Sequence, residues 1–306
     1  MLGKKLKLGD TIGIISPASP EDPKSIENAI SFFQNKGFKI KLGKHIYDKR
    51  GYLAGEDKNR AADLMDMFKD NEVDMILCVR GGYGSMRTLP YIDFDVIRSN
   101  PKIFIGFSDI TSFLNTFYSK CNLITFHGPM FTSNFKDKYT IDSFFNTLMN
   151  GNKPYIISNP SENELICSVE GECRGHLVGG NLSLISNTLG TPYEIDFKDN
   201  ILFIEDIHEE PYAIDRMLTH LELSGKLNTC NGFILGQFKN CTLPHYNRSL
   251  TLNEVFADKI FSLNKPTITN LMSGHDYPKL TLPIGAQVYM NSLKKIIEIN
   301  QPTVLN

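Results

Sequence analysis

Residues 102–111 read KIFIGFSDIT, an apolar run ending at Gly106, then Phe107, Ser108 and Asp109, with a helical pattern following at once. Short, continuous apolar runs are expected of strands buried on both faces, as in a parallel sheet. Downstream, DITSFLNTFYSK places Ile110, Phe113, Leu114 and Phe117 on one side of a helix. The junction is therefore a strand turning abruptly into a helix. Its serine has two compatible readings. Serine is a favoured helix cap, and a serine at a sharp strand-to-helix turn resembles the exposed residue of a nucleophile elbow. The familiar elbow pattern is G-x-S-x-G; Gly106 is present, but Ile110 stands in place of the second glycine.

The same rhythm extends outward on both sides. TIGIIS, FKIKLG, VDMILCV and NLITF read as further strands, and EDPKSIENAISFFQNKG and KNRAADLMDMFKD as helices between them. Pro23 suits a first helical turn and Gly37 a helix end. Strand–helix alternation implies a parallel sheet covered on both faces. Around residue 150 the pattern loosens. MNGNKPYIISNPSENE is rich in Asn, Pro and Ser and reads as connecting chain. A second series follows: GHLVGG into the helix NLSLISNTLG, the strand NILFIED, the helix PYAIDRMLTHLELSG, the strand NGFILGQF, the helix LTLNEVFADKIF, a strand PTITNLMSGH reaching His275, and a C-terminal hairpin AQVYMNSLKKIIEIN. The expected organisation is a first domain over 1–150, a linker over 151–170 and a second α/β domain over 171–306.

Bulk properties exclude several classes of function. The 306 residues are 41% hydrophobic and 22% charged, values that allow a large core without staples. A formal charge of -2 gives no footprint for nucleic acid or an anionic membrane. The basic start MLGKKLK is followed by only a short apolar stretch before Ser16 and Pro17, so a soluble, cytoplasmic protein is expected. Six cysteines include no C-x-x-C pair, which argues against a structural zinc site; no metal or cofactor is expected.

Functional groups of open parallel sheets collect beyond the carboxyl ends of the strands. Four features lie there: RGGYG (80–84), Ser108, Glu205 with Asp206, and His275. RGGYG is either a tight turn or a place where backbone N–H groups approach a ligand. Among seven histidines, His127 and His275 follow strands; the others fall in polar segments or, for His176, open a strand. A serine–histidine pair also needs a carboxylate to hold the imidazole tautomer. Asp206, Glu209 and Glu210 compete with Glu205, but Glu205 lies inside an apolar strand pattern, where supporting a helix N-terminus explains it least well.

Four segments occur in order: RGGYGSMRTLPYID; IGFSDIT with TFHGPM downstream; GHLVGGNLSLISNTLGTPY with ILFIEDIHEEPYAIDRMLTHL; and GHDYPKLTLPIGAQV. Together they resemble the LD-carboxypeptidase family of serine peptidases, the muramoyltetrapeptide carboxypeptidases, over about Gly9 to Ala286. The resemblance implies a flavodoxin-like N-terminal domain, a smaller α/β C-terminal domain and a homodimer. It implies a Ser108–Glu205–His275 triad, with oxyanion donors at the N–H groups of Asp109 and Gly82, or Gly81 if the loop is shifted by one. The family substrate is the murein tetrapeptide, cut between an L-configured diamino acid and terminal D-Ala. Arg80 and Arg174 are candidate partners for the D-Ala carboxylate. The same family includes microcin C immunity peptidases, which hydrolyse an acyl-sulfamoyl adenylate; this chain has no tryptophan to lay against an adenine. An inactive muropeptide-binding protein is the alternative of another class.

Overall fold

The computed structural model describes residues 1–243, 245 and 247–306. It divides into two compact units, the first comprising Met1–Lys153, Thr281–Gly285 and Pro302–Asn306, the second Pro154–Leu280 and Ala286–Gln301.

The first unit is a flavodoxin-like layer of strands. β1 (Thr11–Ile15), β2 (Lys39–Leu42), β3 (Met75–Cys78), β4 (Ile103–Gly106) and β5 (Thr125–His127) lie in the order β2-β1-β3-β4-β5, all parallel. Every residue of β3 and β4 is buried, because helices cover both faces of the sheet. Local chemistry starts and stops these helices. Asp22 accepts the N–H of Ser25 at 3.3 Å ahead of the helix Pro23–Asn35, and Gly37 takes up φ +92° just beyond it. Phe104 on the sheet meets Phe117 of the helix Thr111–Cys121 edge-on, centroids 4.9 Å apart. Such aromatic pairs add to the burial term that fixes helix on sheet. Strand order reverses between β1 and β3, which makes the carboxyl ends of those strands the switch point where sites form.

The second unit carries the other strands in an eight-stranded sheet. In chain order they are β6 (Tyr155–Ile157), β7 (Ile166–Val169), β8 (Glu172–Asn181), β9 (Ile201–Ile207), β10 (Gly232–Lys239), β11 (Thr267–Thr269), β13 (Gln287–Asn291) and β14 (Ile296–Ile299), and β12 (Leu282–Ile284) belongs to the first unit. The sheet order is β6-β14-β13-β8-β9-β10-β11-β7, with β8 to β11 parallel and the outer strands antiparallel. No helix among the described residues is long and apolar enough to cross a membrane.

Several elements depart from the sequence expectation for identifiable reasons. Within 151–170, Tyr155–Ile157 and Ile166–Val169 are strands rather than coil, and they occupy the two edges of the second sheet. Edge strands are short and half-solvated, so they lack the continuous apolar run that marks a central strand. PTITNLMSGH does not run as a strand to His275: β11 stops at Thr269, where Asn270 turns left-handed at φ +66°. Within LTLPIG, a stretch with no strand pattern in the sequence, Leu282–Ile284 adds antiparallel to β5 at the edge of the first sheet. Pro283 is tolerated there because an edge strand has one side without a ladder. His127 falls inside β5, paired with Leu282 and Gly106, and is fully buried.

Candidate active site

β4 ends at Gly106 and the chain turns within two residues. Phe107 is extended (φ -154°, ψ -174°), and Ser108 then takes φ +62°, a conformation that non-glycine residues adopt at a cost of about 1–3 kcal/mol. A short 3₁₀ turn, Ser108–Ile110, leads into the helix Thr111–Cys121. The residues at the cap positions of these two elements are Phe107 and Ile110, so Ser108 is not the helix cap. The missing second glycine of the elbow pattern also has an explanation. Ile110 packs over Gly106, where a Cβ would lie 2.7 Å from its Cγ2. The close approach is provided by one glycine on the strand side alone.

The RGGYG loop lies directly against this turn. A Cβ on Gly81 would stand 3.0 Å from Ser108 Cβ, 3.2 Å from its Oγ and 3.3 Å from the backbone nitrogen of Asp109. Ser19, beyond β1, ties the loop down: its N–H donates to the Gly81 carbonyl at 3.4 Å, and its Oγ accepts the Tyr83 N–H at 3.1 Å. Gly82, at φ +111°, could not carry a side chain, because a Cβ would overlap Ser19 Oγ. Asp109 closes the arrangement from below. Its carboxylate accepts the Ser85 N–H at 2.8 Å, and its carbonyl accepts the Ser85 hydroxyl. Burial pushes the Asp109 carboxyl up from its ordinary value, while the Ser85 and Gly84 donors pull it back. Buried Arg60 anchors the same loop by donating to the Gly84 carbonyl at 2.8 Å. Loop and turn are thus one cross-tied structure around Ser108 and the backbone of Gly81, Gly82 and Asp109.

In the second unit, β9 delivers Glu205 and the segment after β11 delivers His275. His275 donates Nδ1–H to Glu205 Oε2 at 2.6 Å, and the Glu205 residue is fully buried. In the neutral ring that bond assigns the tautomer and leaves Nε2 as the acceptor. Gly274 makes the approach possible: at φ +145°, a Cβ would sit 3.0 Å from Glu205 Oε2. One rival carboxylate has other work. Asp206 accepts from the Asn181 amide at 2.9 Å and from the Ser183 N–H and hydroxyl at 3.0 and 2.9 Å, tying β9 to the start of the helix Leu182–Thr188. Glu210 stands at the N-terminus of the helix Pro211–Leu223.

Nothing in the sequence pattern marks Lys279. It is 2% exposed, and burial lowers its ammonium to about 7, with the Glu205 charge acting in the opposite direction. A lysine beside a cis-proline in a loop carries no pattern signal of burial. The two arginine candidates separate. Arg80 opens the RGGYG loop, half-exposed, with its guanidinium 3.8 Å from Glu21. Arg174 lies on β8 seven residues before Asn181, the residue paired with Glu205; at ~3.3 Å per residue that is about 23 Å along the strand. Its guanidinium stacks over Tyr289 at 5.3 Å. The distance removes it from the Glu205–His275 neighbourhood.

Comparison with known proteins gives concordant matches. Residues 12–128 match the LD-carboxypeptidase N-terminal domain and residues 174–290 the LD-carboxypeptidase C-terminal domain. A probable murein peptide carboxypeptidase of Bacillus subtilis is 43% identical, over 95% of this chain and 92% of its own. The crystal structure of a muramoyltetrapeptide carboxypeptidase from Oxalobacter formigenes superposes with a TM-score of 0.84 at 28% identity, covering 97% of this chain and 100% of that one. The microcin C7 self-immunity protein in complex with aspartyl sulfamoyl adenosine gives a TM-score of 0.90 at 26% identity, covering 99% of both chains.

Proposed function

The chain belongs to the LD-carboxypeptidase family of serine peptidases, and from that premise we propose that it removes the terminal D-Ala from murein tetrapeptides through Ser108, His275 and Glu205. The observation that carries this reading is Ser108 at φ +62° on a strand-to-helix turn, the strained presentation of a nucleophile.

In the proposed reaction, His275 Nε2 takes the proton of Ser108 as Oγ bonds to the carbonyl carbon of the diamino acid. Charge moves to the carbonyl oxygen. The Asp109 N–H and the Gly82 N–H stabilise it, held in place by the Ser85 and Ser19 ties already described. The imidazolium returns its proton to the departing amine as the C–N bond breaks, and D-Ala leaves. Water, deprotonated by the same imidazole, then hydrolyses the ester. Glu205 keeps Nδ1 protonated and offsets the imidazolium charge. Arg80, at the mouth of the glycine loop, is the proposed partner of the D-Ala carboxylate. The proposal extends to a homodimer working on recycled cell-wall peptides in the cytoplasm.

The microcin-type substrate is the competing outcome, since a similar structure holds aspartyl sulfamoyl adenosine. Turnover is compared on a murein tetrapeptide and on an aminoacyl-sulfamoyl adenosine. Higher kcat/KM on the tetrapeptide is expected; higher kcat/KM on the adenosine conjugate would overturn the assignment.

A further inference from the structure

His275 sits in a segment, residues 270–280, that no strand ladder holds. Its position relative to Glu205 must be fixed by other means, because a histidine displaced by 1 Å can lose about 10²-fold in rate. The neighbouring strand supplies those means. β9 and β10 run in register up to Ile204 and Leu235, then resume one residue late, with Asp206 opposite Phe238. Gly236 and Gln237 therefore face the single residue Glu205, which is a β-bulge. Bulges bend a strand and re-aim a side chain, and they recur beside active sites.

Here the bulge presents both backbone and side chain to the His275 segment. The Gln237 N–H donates to the Ser273 carbonyl at 3.0 Å. Gly236 lets that carbonyl come close, since a Cβ there would overlap it. The Gln237 side chain then bridges the far side of the histidine. Its Oε1 accepts the Asp276 N–H at 2.9 Å, and its Nε2 donates to the Pro278 carbonyl at 3.1 Å. A backbone N–H can only donate and a proline carbonyl can only accept, so the amide orientation is fixed by its partners. One residue thus holds positions 273, 276 and 278, on both sides of His275. Glutamate lacks the donor, methionine lacks both groups, and asparagine is one methylene short of the span.

We infer that Gln237 is the positioning residue that sets His275 against Glu205. The inference rests on the proposed role of that pair, and its test separates the two. Gln237→Met and Gln237→Asn are prepared, their folding is checked by thermal melts, and kcat and KM are measured on murein tetrapeptide. In parallel, ¹⁵N chemical shifts of the His275 ring report its tautomer without any turnover. The expected result is a fall in kcat of about 10–100-fold with KM within about twofold, larger for Met than for Asn. The His275 signals should move from a single Nδ1–H tautomer toward a mixture. Folded variants that keep wild-type kcat and an unchanged His275 signature would overturn the inference. Absence of peptide cleavage by the wild type would contradict the proposed function instead, and the ring shifts would still decide the role of Gln237. A shifted melting temperature with unchanged ring shifts would reduce Gln237 to an ordinary structural residue.

Discussion

Glu205 accepts the Nδ1–H of His275 at 2.6 Å from a position with no solvent exposure. A buried carboxylate aimed at an imidazole does two things: it selects the tautomer, and it stabilises the cation that forms on proton transfer. Replacing Glu205 with Gln keeps size and an acceptor oxygen but removes the charge. The expected result is a kcat lower by about 10³–10⁴-fold with KM little changed, measured by steady-state D-Ala release. A loss confined to KM would assign Glu205 to substrate binding.

Gly81→Ala tests the packing of the glycine loop against the elbow. The new methyl would meet Ser108 Cβ at 3.0 Å and Oγ at 3.2 Å. Gly81 is not among the residues with positive φ, so the substitution adds no backbone strain of its own. Activity should therefore fall by about 10²-fold, while stability falls by about 1–3 kcal/mol, the usual cost of overpacking a buried site. Rates measured beside urea midpoints check this. A normal kcat, whatever the urea midpoint, would contradict it.

Lys279 gives a pH signature. Its ammonium titrates near 7 in the folded chain against an ordinary 10.5. Between those values the unfolded chain holds a proton that the folded chain lacks, so stability contributed at this site rises with pH across the window and is flat below it. Lys279→Met removes the term. The stability of wild type minus that of Lys279→Met should increase by roughly 2–3 kcal/mol between pH 7 and pH 9, from the ~1.4 kcal/mol per unit linkage. Urea unfolding at both values measures it; parallel pH profiles for the two proteins would refute it.

The parallel α/β class was legible because central strands such as MILC and IFIG are buried on both faces and so lack polar residues. Edge strands were not. YII and ICSV expose one side, and LPI contains a proline, so none carries a continuous run or clean alternation. The sharp turn at Ser108 could be read from GFSD, yet the left-handed φ that denies it the cap position is a property of packing. Glu205 stood out as an acid inside an apolar strand. The strand expected to reach His275 did not, because Asn270 turns the chain first, and the bulge that compensates at Gln237 leaves no trace in composition or period. Buried Lys279 was invisible for the same reason: long-range contacts, not neighbours in sequence, put it there.

In the proposed reaction everything turns on Ser108 as the nucleophile that releases D-Ala. The most direct measurement is mass-spectrometric detection of D-Ala from a murein tetrapeptide with wild type and Ser108→Ala at equal concentration of folded protein. Wild type should release D-Ala, and the variant should lose at least about 10³-fold in rate while its melting temperature stays close to wild type. Release by Ser108→Ala at a near-wild-type rate would contradict that role.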